Sequence, residues 1–152
     1  MKELKLMKFT YLGTAAAEGF PAMFCACDNC KKARELGGKN LRTRSQAIID
    51  NCLLIDYPAD AYTHILTNNI DLLDVKYCLI THTHGDHFYP KDLSYMKKGF
   101  AKPLPDYKLT VYGSEDIAEP IEKMIPSANG HLDYAKLNPF EPVKIGEYTV
   151  TA

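Results

Sequence analysis

Short apolar runs, separated by turn-forming residues, follow one another along the whole chain. Most of these runs are rich in β-branched residues and too short for helices, which predicts buried or half-buried strands. The predicted strands cover residues 4–12, 45–49, 52–55, 75–80 and 107–112, and a hairpin closes the chain over residues 143–152. Between the second and third strands, Asp50-Asn51 is a tight hairpin signal, and Gly146-Glu147 is the turn of the last hairpin.

Segments with helix start and stop signals lie between the strands. The first covers residues 29–36, with Asp28 as a candidate N-cap and Gly37-Gly38 as its end. Further helices are predicted, in chain order, over residues 58–66, 90–99 and 117–125, the last capped by residues 114–116 and stopped by Pro126. Strands followed by alternating strands and helices, without a repeat or linker, predict a single α/β unit over residues 1–152.

Composition narrows the class of protein without indicating a partner. The 152 residues are 46% apolar and 24% charged, which is typical of a soluble globular protein with a core of its own. The formal net charge of −1 argues for no particular partner. The N-terminus lacks the apolar segment of a signal peptide, and no apolar run approaches the ~20 residues of a membrane span. We therefore expect a cytoplasmic protein without a membrane partner.

The densest chemistry in the sequence directly follows the fourth predicted strand. Here His82, His84, Asp86 and His87 lie within six residues. Side chains two apart share a face at the end of a strand, so His82 and His84 can reach one metal ion. Gly85 permits a sharp turn, after which Asp86 and His87 can reach a second ion. Imidazole and carboxylate ligands suit zinc, manganese or iron, and the alternative is a polar surface loop rich in histidine.

Three cysteines, Cys25, Cys27 and Cys30, form a second cluster. On a tight loop their sulfurs can turn towards one ion, although three thiolates leave a tetrahedral zinc one ligand short. Two alternatives remain at this stage, namely three unligated thiols or a Cys-x-x-Cys pair that oxidises. The five cysteines of the chain fit metal binding in a reducing compartment better than a disulfide framework.

The remaining histidines and cysteines are not expected to bind a metal. His64 lies in a predicted helix and is interpreted as a surface or packing residue rather than a ligand, and His131 is expected to be exposed. Cys52 and Cys78 lie in apolar strands, which indicates buried thiols. A basic stretch over residues 31–44 is either a solvated face or a surface that attracts a phosphate-bearing substrate.

Two of these motifs resemble a known family. The His-x-His-x-Asp-His segment after an apolar strand resembles the signature of the metallo-β-lactamase-fold hydrolases. The N-terminal part resembles one branch of that family, the cyclic phosphodiesterases of phosphonate breakdown, in the motifs Leu12-Gly13-Thr14, Gly19-x-Pro21, Cys-x-Cys-x-x-Cys and Ala33-Arg34. The coenzyme PQQ biosynthesis proteins of the same fold begin in a similar way. The resemblance covers most of residues 6–90 and is weak beyond them.

The resemblance implies a fold and a set of ligands. The fold would be an αββα sandwich of the α/β (α+β) class, present here as its N-terminal portion. His82 and His84 would bind one divalent ion, zinc or manganese. Asp86 and His87 would bind a second, and Asp86 would also take part in catalysis. The three cysteines would hold a structural zinc with a histidine from late in the chain. Asp56, which otherwise simply ends a strand, would support a ligand histidine from beside the metal site.

The function that the resemblance implies is hydrolysis of a phosphate ester. The substrate would be a small cyclic phosphodiester, phosphoribosyl or nucleotide-like, attacked by a hydroxide that two metal ions activate. The alternatives are a transfer-RNA 3′-end endonuclease of the same fold, with nucleic acid as its partner, and a non-catalytic metal-binding module. Hydrolases of the resembled family are much longer, and four ligand side chains cannot satisfy two ions. We therefore expect this chain alone to be inactive and to form a homo-oligomer.

Overall fold

The computed structural model describes residues 6–102 and 104–152, and its centre is a mixed sheet of six strands that lie side by side in chain order. The first three strands are antiparallel neighbours, and the third to the sixth run parallel. A separate antiparallel pair, β7 and β8, forms the confirmed final hairpin. The strands are β1 (Phe9–Gly13), β2 (Gln46–Ile49), β3 (Leu53–Ile55), β4 (Tyr77–Leu79), β5 (Leu109–Gly113), β6 (Leu132–Lys136), β7 (Pro142–Ile145) and β8 (Tyr148–Thr151).

Helices are short, and several are of the 3₁₀ type. The three α-helices are α1 (Asp28–Leu36), α2 (Ala61–Asn68) and α3 (Ala118–Glu122), and 3₁₀ helices cover Gly38–Asn40, Pro90–Met96, Glu115–Ile117 and Ile125–Ala128. The helix predicted over residues 90–99 is thus a 3₁₀ helix that ends at Met96. The single helix predicted over residues 117–125 is divided among three short ones. Asp28 is not the N-cap of α1, because the helix begins with it and Cys27 takes the cap position.

The strand predicted over residues 4–12 begins only at Phe9, and its part within residues 1–5 lies outside the described residues. Its end is fixed by a close approach. A Cβ atom on Gly13 would overlap the carbonyl oxygen of Arg44 and would lie 2.9 Å from the ring of His64. The register between β1 and β2 also shifts between Tyr11 and Gly13. Only glycine therefore fits at position 13, and the bulge there lets β1 pass over α2.

The hairpin of β2 and β3 turns at Asp50 and Asn51, as the sequence predicts. Both residues have positive φ angles, 49° and 56°, which is the conformation of a two-residue hairpin turn. The Asp50 carboxylate accepts hydrogen bonds from the Lys8 amide at 2.7 Å and from the Tyr148 hydroxyl at 2.9 Å. The turn thereby ties the six-stranded sheet to the β7–β8 hairpin.

Alternate side chains of the central strands face two different cores. On one face, Leu54, Cys78 and Val111 pack against the helices in a core that includes Ile117 and Ile121. On the other, a smaller core joins the sheet to β7 and β8; it contains the buried residues Ile49, Leu53, Leu137 and Ile145. The chain is therefore layered as helices, a large sheet and a small sheet. Cys78 is buried, as predicted, whereas Cys52 is only half-buried.

One strand, β6, was not predicted. Its residues follow the turn at Gly130, and Leu132 is buried while Asp133 forms an ion pair with Lys108 at 3.0 Å. The prediction that His131 is exposed is also wrong. This residue is half-buried, and its Nδ1 atom lies 2.8 Å from the carbonyl oxygen of Tyr107.

Across the described residues, no helix combines the length and the apolar character needed to cross a membrane.

Candidate metal centre

The histidine-rich loop, residues 81–87, follows the end of β4, and the parallel neighbour β3 ends at the same edge of the sheet. Ile55 and Leu79 are partners in the sheet, so Asp56 and Thr81 emerge close together at its carboxyl edge. The Asp56 amide donates a hydrogen bond to the carbonyl oxygen of Leu79 at 2.7 Å. Ligands of α/β proteins bind at this edge of parallel strands, because the following loops bring their side chains together there.

Asp56 is buried and makes the central contacts of the loop. Its carboxylate accepts hydrogen bonds from the Thr81 amide and the Thr81 hydroxyl, both at 2.8 Å, and lies 2.6 Å from His87 Nδ1. The backbone φ angle of Asp56 is 65°, a left-handed conformation that aspartate adopts more readily than most residues. The predicted contact between Asp56 and a histidine is therefore present, while its role beside a bound metal stays a prediction.

The backbone of the loop is closed by a turn at its far end. The amides of His87 and Phe88 both donate to the carbonyl oxygen of His84, at 2.9 and 2.8 Å. The Tyr57 amide then bonds the His87 carbonyl, and the buried ring of Phe88 anchors the segment in the core. The loop is thus held by the backbone while the His84 side chain is exposed.

The His82 ring lies beside two other histidine rings. The centroid of the His82 ring lies 4.7 Å from that of His84 and 4.1 Å from that of His87. An Asp86 carboxylate oxygen lies 3.5 Å from His87 Nε2. The structure therefore brings all four predicted ligand side chains to the same edge of the sheet.

The hydrogen bonds of the rings suit metal ligands. Thr81 donates its hydroxyl proton to Asp56, so its oxygen accepts the Nδ1 proton of His82, 3.0 Å away. In the neutral form that carries its proton on Nδ1, each of the two rings leaves Nε2 as the nitrogen with a free lone pair. Neutral imidazoles whose second nitrogen is held by an oxygen acceptor are the usual form of ligand histidines. Three imidazoles and one carboxylate fit zinc or manganese.

The cysteine cluster is the tightest group of potential ligands in the described part of the chain. The sulfurs of Cys25, Cys27 and Cys30 all lie within 4.8 Å of one another, and all five cysteines of the protein are free thiols. The Ala22 amide donates to the Cys30 sulfur at 3.4 Å. Three converging thiols of this kind suit zinc, and they leave one position of a tetrahedron for a fourth ligand.

The cysteine loop is braced by Arg34, whose guanidinium donates to the carbonyl oxygens of Cys25 and Ala22 at 3.0 and 3.1 Å. Arg44 is similarly engaged, because it donates to the Ala17 carbonyl at 2.9 Å and pairs with Asp60 at 3.1 Å. These two arginines of the basic stretch therefore hold loops together. Their guanidinium groups are engaged within the protein, which favours a structural role over attraction of a phosphate.

The two thiols at the ends of Cys27–Cys30 differ in acidity. The Cys30 backbone amide and the neighbouring thiols hydrogen-bond the Cys27 sulfur and lower the pKa of Cys27. At Cys30, the Ala22 amide lowers the pKa, but burial and the sulfurs of Cys25 and Cys27 outweigh it and raise the pKa overall. Cys27 is also the exposed member of the cluster.

A cavity of about 650 Å³ adjoins the loop between the large and small sheets. Apolar side chains, among them Leu79 and Val150, line most of it, and Thr81 lies at its wall. The ion pair of Glu115 and Lys136, 2.6 Å long, borders the same space. The cavity is large enough for a small organic molecule, and Thr81 lines it, whereas the four candidate ligands do not.

Sequence reasoning missed Thr81, Gln46 and the full part played by His64. Thr81 directly follows β4, a position from which its short side chain reaches Asp56, and this position was the available signal. His64 is a packing residue, as one of the two interpretations held, but it is also hydrogen-bonded to Gln46 and Thr43. No local signal points to those contacts, because the partners lie 18 and 21 positions away.

Comparison with solved structures places this architecture in a known class: the chain has the metallo-β-lactamase fold. It is similar to Zn(2+)-bound PqqB from Methylobacterium extorquens, with a TM-score of 0.73 and 20% identity over 96% of this chain and 55% of that one. It is also similar to a diphosphatase from the PhnP family, with a TM-score of 0.74 and 18% identity over 95% of this chain and 55% of the other.

A third similar structure is that of the metallo-β-lactamase fold protein YhfI from Bacillus subtilis, with a TM-score of 0.65 and 20% identity over 97% of this chain and 52% of that one. The chain thus spans about half the length of the solved structures it matches. A scan against protein-family models gives no match, and a search of curated proteins gives none either. The fold inferred from the two sequence motifs is confirmed.

Proposed function

We propose that this chain carries the metal-binding loop of a metal-dependent hydrolase that acts on phosphate esters. The observation that carries the proposal is the 2.6 Å contact between Asp56 and His87 Nδ1, which leaves Nε2 of that ring for a metal. Loops that are merely polar have no reason to bury a carboxylate behind a histidine, because burying an ionised group costs free energy. An oxygen acceptor behind a ligand histidine raises the basicity of the ring and fixes its orientation.

In this proposal His82 and His84 hold one divalent ion, and Asp86 and His87 hold the second. The ions are zinc or manganese, the two metals that this donor set suits. Divalent ions bound here supply Lewis acidity towards a phosphoryl oxygen and lower the pKa of water. Positions that the four side chains do not fill are taken by water or by donors that this chain does not supply.

The residues of the chain have distinct tasks in this scheme. Asp56 and Thr81 hold the His87 and His82 rings with Nε2 outward. Asp86 is the carboxylate assigned to catalysis, where it receives the proton released by the attacking water. The backbone turn at His84 keeps the spacing of the ligands fixed.

The proposed substrate is a small cyclic phosphodiester of a phosphoribosyl or nucleotide-like group. Similarity to a diphosphatase of the PhnP family supports cleavage of a phosphorus–oxygen bond. The cavity beside Thr81 offers an apolar wall for the organic part of the ester. We further propose a structural zinc at the three cysteines, a cytoplasmic setting that keeps these thiols reduced, and assembly as a homo-oligomer.

The experiment compares phosphorus esters under controlled metal. The product of the complete reading frame that contains this sequence is stripped of metal, titrated with Mn²⁺ or Zn²⁺, and assayed on four substrates. These are bis-p-nitrophenyl phosphate, a 2′,3′-cyclic nucleotide, a dinucleoside diphosphate and a precursor transfer RNA. We expect metal-dependent cleavage, fastest on the cyclic ester and lost in His84→Ala, while the matched variant Thr83→Ala keeps its turnover. Faster cleavage of the diphosphate or the RNA would overturn the substrate class, and turnover without metal would overturn the whole proposal.

A further inference from the structure

A buried chain of hydrogen bonds runs beneath the candidate metal centre. His64 on α2 is 1% exposed, and its two ring nitrogens each lie 2.6 Å from an oxygen, namely Gln46 Oε1 and Thr43 Oγ1. Gln46 on β2 is 3% exposed, and its Nε2 group donates to the backbone carbonyl oxygen of Asp56 at 3.0 Å. The chain of contacts thus links Thr43, His64, Gln46 and Asp56.

The direction of each bond follows from its donors. Gln46 Nε2 donates to a carbonyl oxygen, so the other atom of the amide, Oε1, can only accept. His64 Nδ1 must therefore carry the proton, and the Thr43 hydroxyl can donate to Nε2. Burial lowers the pKa of His64, which favours the neutral ring in this Nδ1–H form.

The far end of this network of hydrogen bonds is Asp56, whose φ angle of 65° lies in the left-handed region. Its amide bonds the Leu79 carbonyl, its own carbonyl accepts from Gln46, and its carboxylate reaches Thr81 and His87. The two backbone bonds fix the direction in which the carboxylate leaves the chain.

The ring of His64 is itself held in place. Gly13 packs against it so closely that an added Cβ would lie 2.9 Å from the Cε1 and Nε2 atoms. The Thr43 carbonyl oxygen accepts hydrogen bonds from the amides of Thr14 and Ala15, at 3.0 and 2.8 Å. These bonds fix the Thr43 end of the hydrogen-bond network. A fully satisfied buried network of this kind specifies one arrangement, because any shift leaves a polar group without its partner.

We propose that Gln46 and His64 are positioning residues for the candidate metal centre. They hold the backbone of Asp56 so that its carboxylate stays on His87 Nδ1 and the His87 ring presents Nε2. The inference rests on the proposed function only in taking His87 as a metal ligand. Neither residue touches the ligands themselves; both act through Asp56.

The first test reads the His87 ring without any metal. Long-range ¹H–¹⁵N spectra of the metal-free 152-residue chain distinguish a ring protonated at Nδ1 from one protonated at Nε2. They are recorded at alkaline pH, and the pattern of couplings separates a doubly protonated ring from either neutral form. Three variants separate the steps. His64→Phe keeps a ring but removes both bonds, His64→Asn restores a donor towards Gln46, and Gln46→Glu keeps the acceptor for His64 but cannot donate to Asp56.

We expect the wild-type chain and His64→Asn to show His87 as the Nδ1–H form. His64→Phe and Gln46→Glu are expected to show loss of that form. The matched control is Ile121→Val, a change in the same buried core that lowers thermal stability without touching the network. An unchanged His87 signal in folded His64→Phe and Gln46→Glu would overturn the proposal, as would the same change of signal in Ile121→Val. If His64→Phe fails to fold, Thr43→Val replaces it, because this change at the half-buried end of the network removes the hydroxyl beside His64 Nε2. Thr43→Val is then expected to weaken the Nδ1–H signal of His87, and an unchanged signal in both folded Thr43→Val and Gln46→Glu would overturn the proposal.

The second test adds Mn²⁺ and measures its affinity by electron paramagnetic resonance. We expect His64→Phe and Gln46→Glu to weaken Mn²⁺ binding about 10–100-fold, the usual cost of losing support behind a ligand, with recovery in His64→Asn. Equal affinity in all variants would overturn the positioning role. If the product of the complete reading frame also binds no Mn²⁺ while the spectra change as expected, the metal centre of the proposed function fails and the positioning of His87 by Gln46 and His64 stands.

Discussion

The Asp56 carboxylate lies 2.6 Å from the Nδ1 atom of His87, although 31 positions separate the two residues in the chain. The contact exists because β3 and β4 are parallel neighbours and end at the same edge of the sheet. The contact fixes the orientation of the His87 ring and leaves Nε2 as the nitrogen that can bind a metal ion. The first predictions therefore concern this pair and the loop around it.

Replacing Asp56 with asparagine tests the pair directly. Asparagine tolerates the positive φ angle, and its oxygen still accepts from the Thr81 amide. Its NH₂ group, however, faces His87 Nδ1 and favours the ring form with the proton on Nε2. We expect Asp56→Asn to weaken Mn²⁺ binding by about 10–100-fold, measured by titration. The exposed Asp106→Asn is the matched control, and unchanged Mn²⁺ affinity in Asp56→Asn would contradict the prediction.

His84 offers the opposite case, a side chain whose removal leaves the fold intact. The ring is exposed, and the loop turn uses only the backbone carbonyl of this residue. We expect His84→Ala to change the free energy of unfolding by no more than about 0.5 kcal/mol, as is usual for exposed positions. Metal binding at the loop should be lost at the same time. Thr83→Ala, one position earlier, is the control for both measurements, and a variant that keeps wild-type Mn²⁺ affinity would exclude His84 as a ligand.

The cysteine cluster predicts a zinc content that depends on each of its thiols. We expect Cys27→Ser to bind less zinc than the wild-type chain, measured by elemental analysis after equilibration with a weak chelator. Cys52→Ser is the control, because this half-buried thiol lies outside the cluster. Equal zinc content in Cys27→Ser and the wild-type chain would rule the site out. Zinc should also slow alkylation of Cys27, whose lowered pKa and exposure otherwise make it reactive.

Buried His64 predicts a loss of stability in acid. Burial lowers its pKa, with Asp60 acting weakly in the other direction, while the unfolded chain keeps a value near 6.5. Below that pH the unfolded state binds the proton first, so the free energy of unfolding should fall as the pH decreases. We expect the slope to be steeper in the wild-type chain than in His64→Asn, measured by urea unfolding between about pH 5 and 8. Parallel profiles for the two proteins would disprove this role.

Association of copies is predicted from the edge strand β1. Phe9 and Tyr11 are 44% and 72% exposed, and their rings form an edge-to-face pair with centroids 4.9 Å apart. In the described part of the chain, β1 pairs with β2 alone in the sheet order. Open edges with apolar side chains promote pairing between copies. We expect light scattering to show a dimer or a larger species, shifted towards monomer by Tyr11→Lys but not by Tyr62→Lys on α2. A wild-type monomer at high concentration would show that the edge is not used.

Local patterns predicted much of the fold because its signals lie within a few residues. Asp50-Asn51 specified the first hairpin, and Gly37 ends α1 with a positive φ angle. The strand β6 escaped prediction because its alternation is weak and Tyr134, Ala135 and Lys136 read equally well as a loop. The 3₁₀ helix at Pro90–Met96 also differs from expectation, since proline at its start is compatible with either kind of helix.

In the candidate site, too, the residues that form a local sequence pattern could be predicted, and those that depend on distant contacts could not. The residues of the histidine loop were visible together, since four potential ligands in six positions form a local pattern. Gln46 was not visible, because its meaning depends on the Asp56 carbonyl and on a ring from α2. Such contacts arise only once β2, β3 and α2 have packed, and no spacing in the sequence encodes them.

Gly13 shows what this packing demands of the sequence over time. A side chain of any kind at this position would strike the backbone of Arg44 and the ring of His64. Exposed residues such as Lys31 can vary among related sequences, since nothing packs tightly on them. Position 13 has no such freedom while the Arg44 carbonyl and the His64 ring keep their places. A smaller residue at position 64 would remove only the contact with the ring, so glycine should persist at position 13 even where position 64 changes.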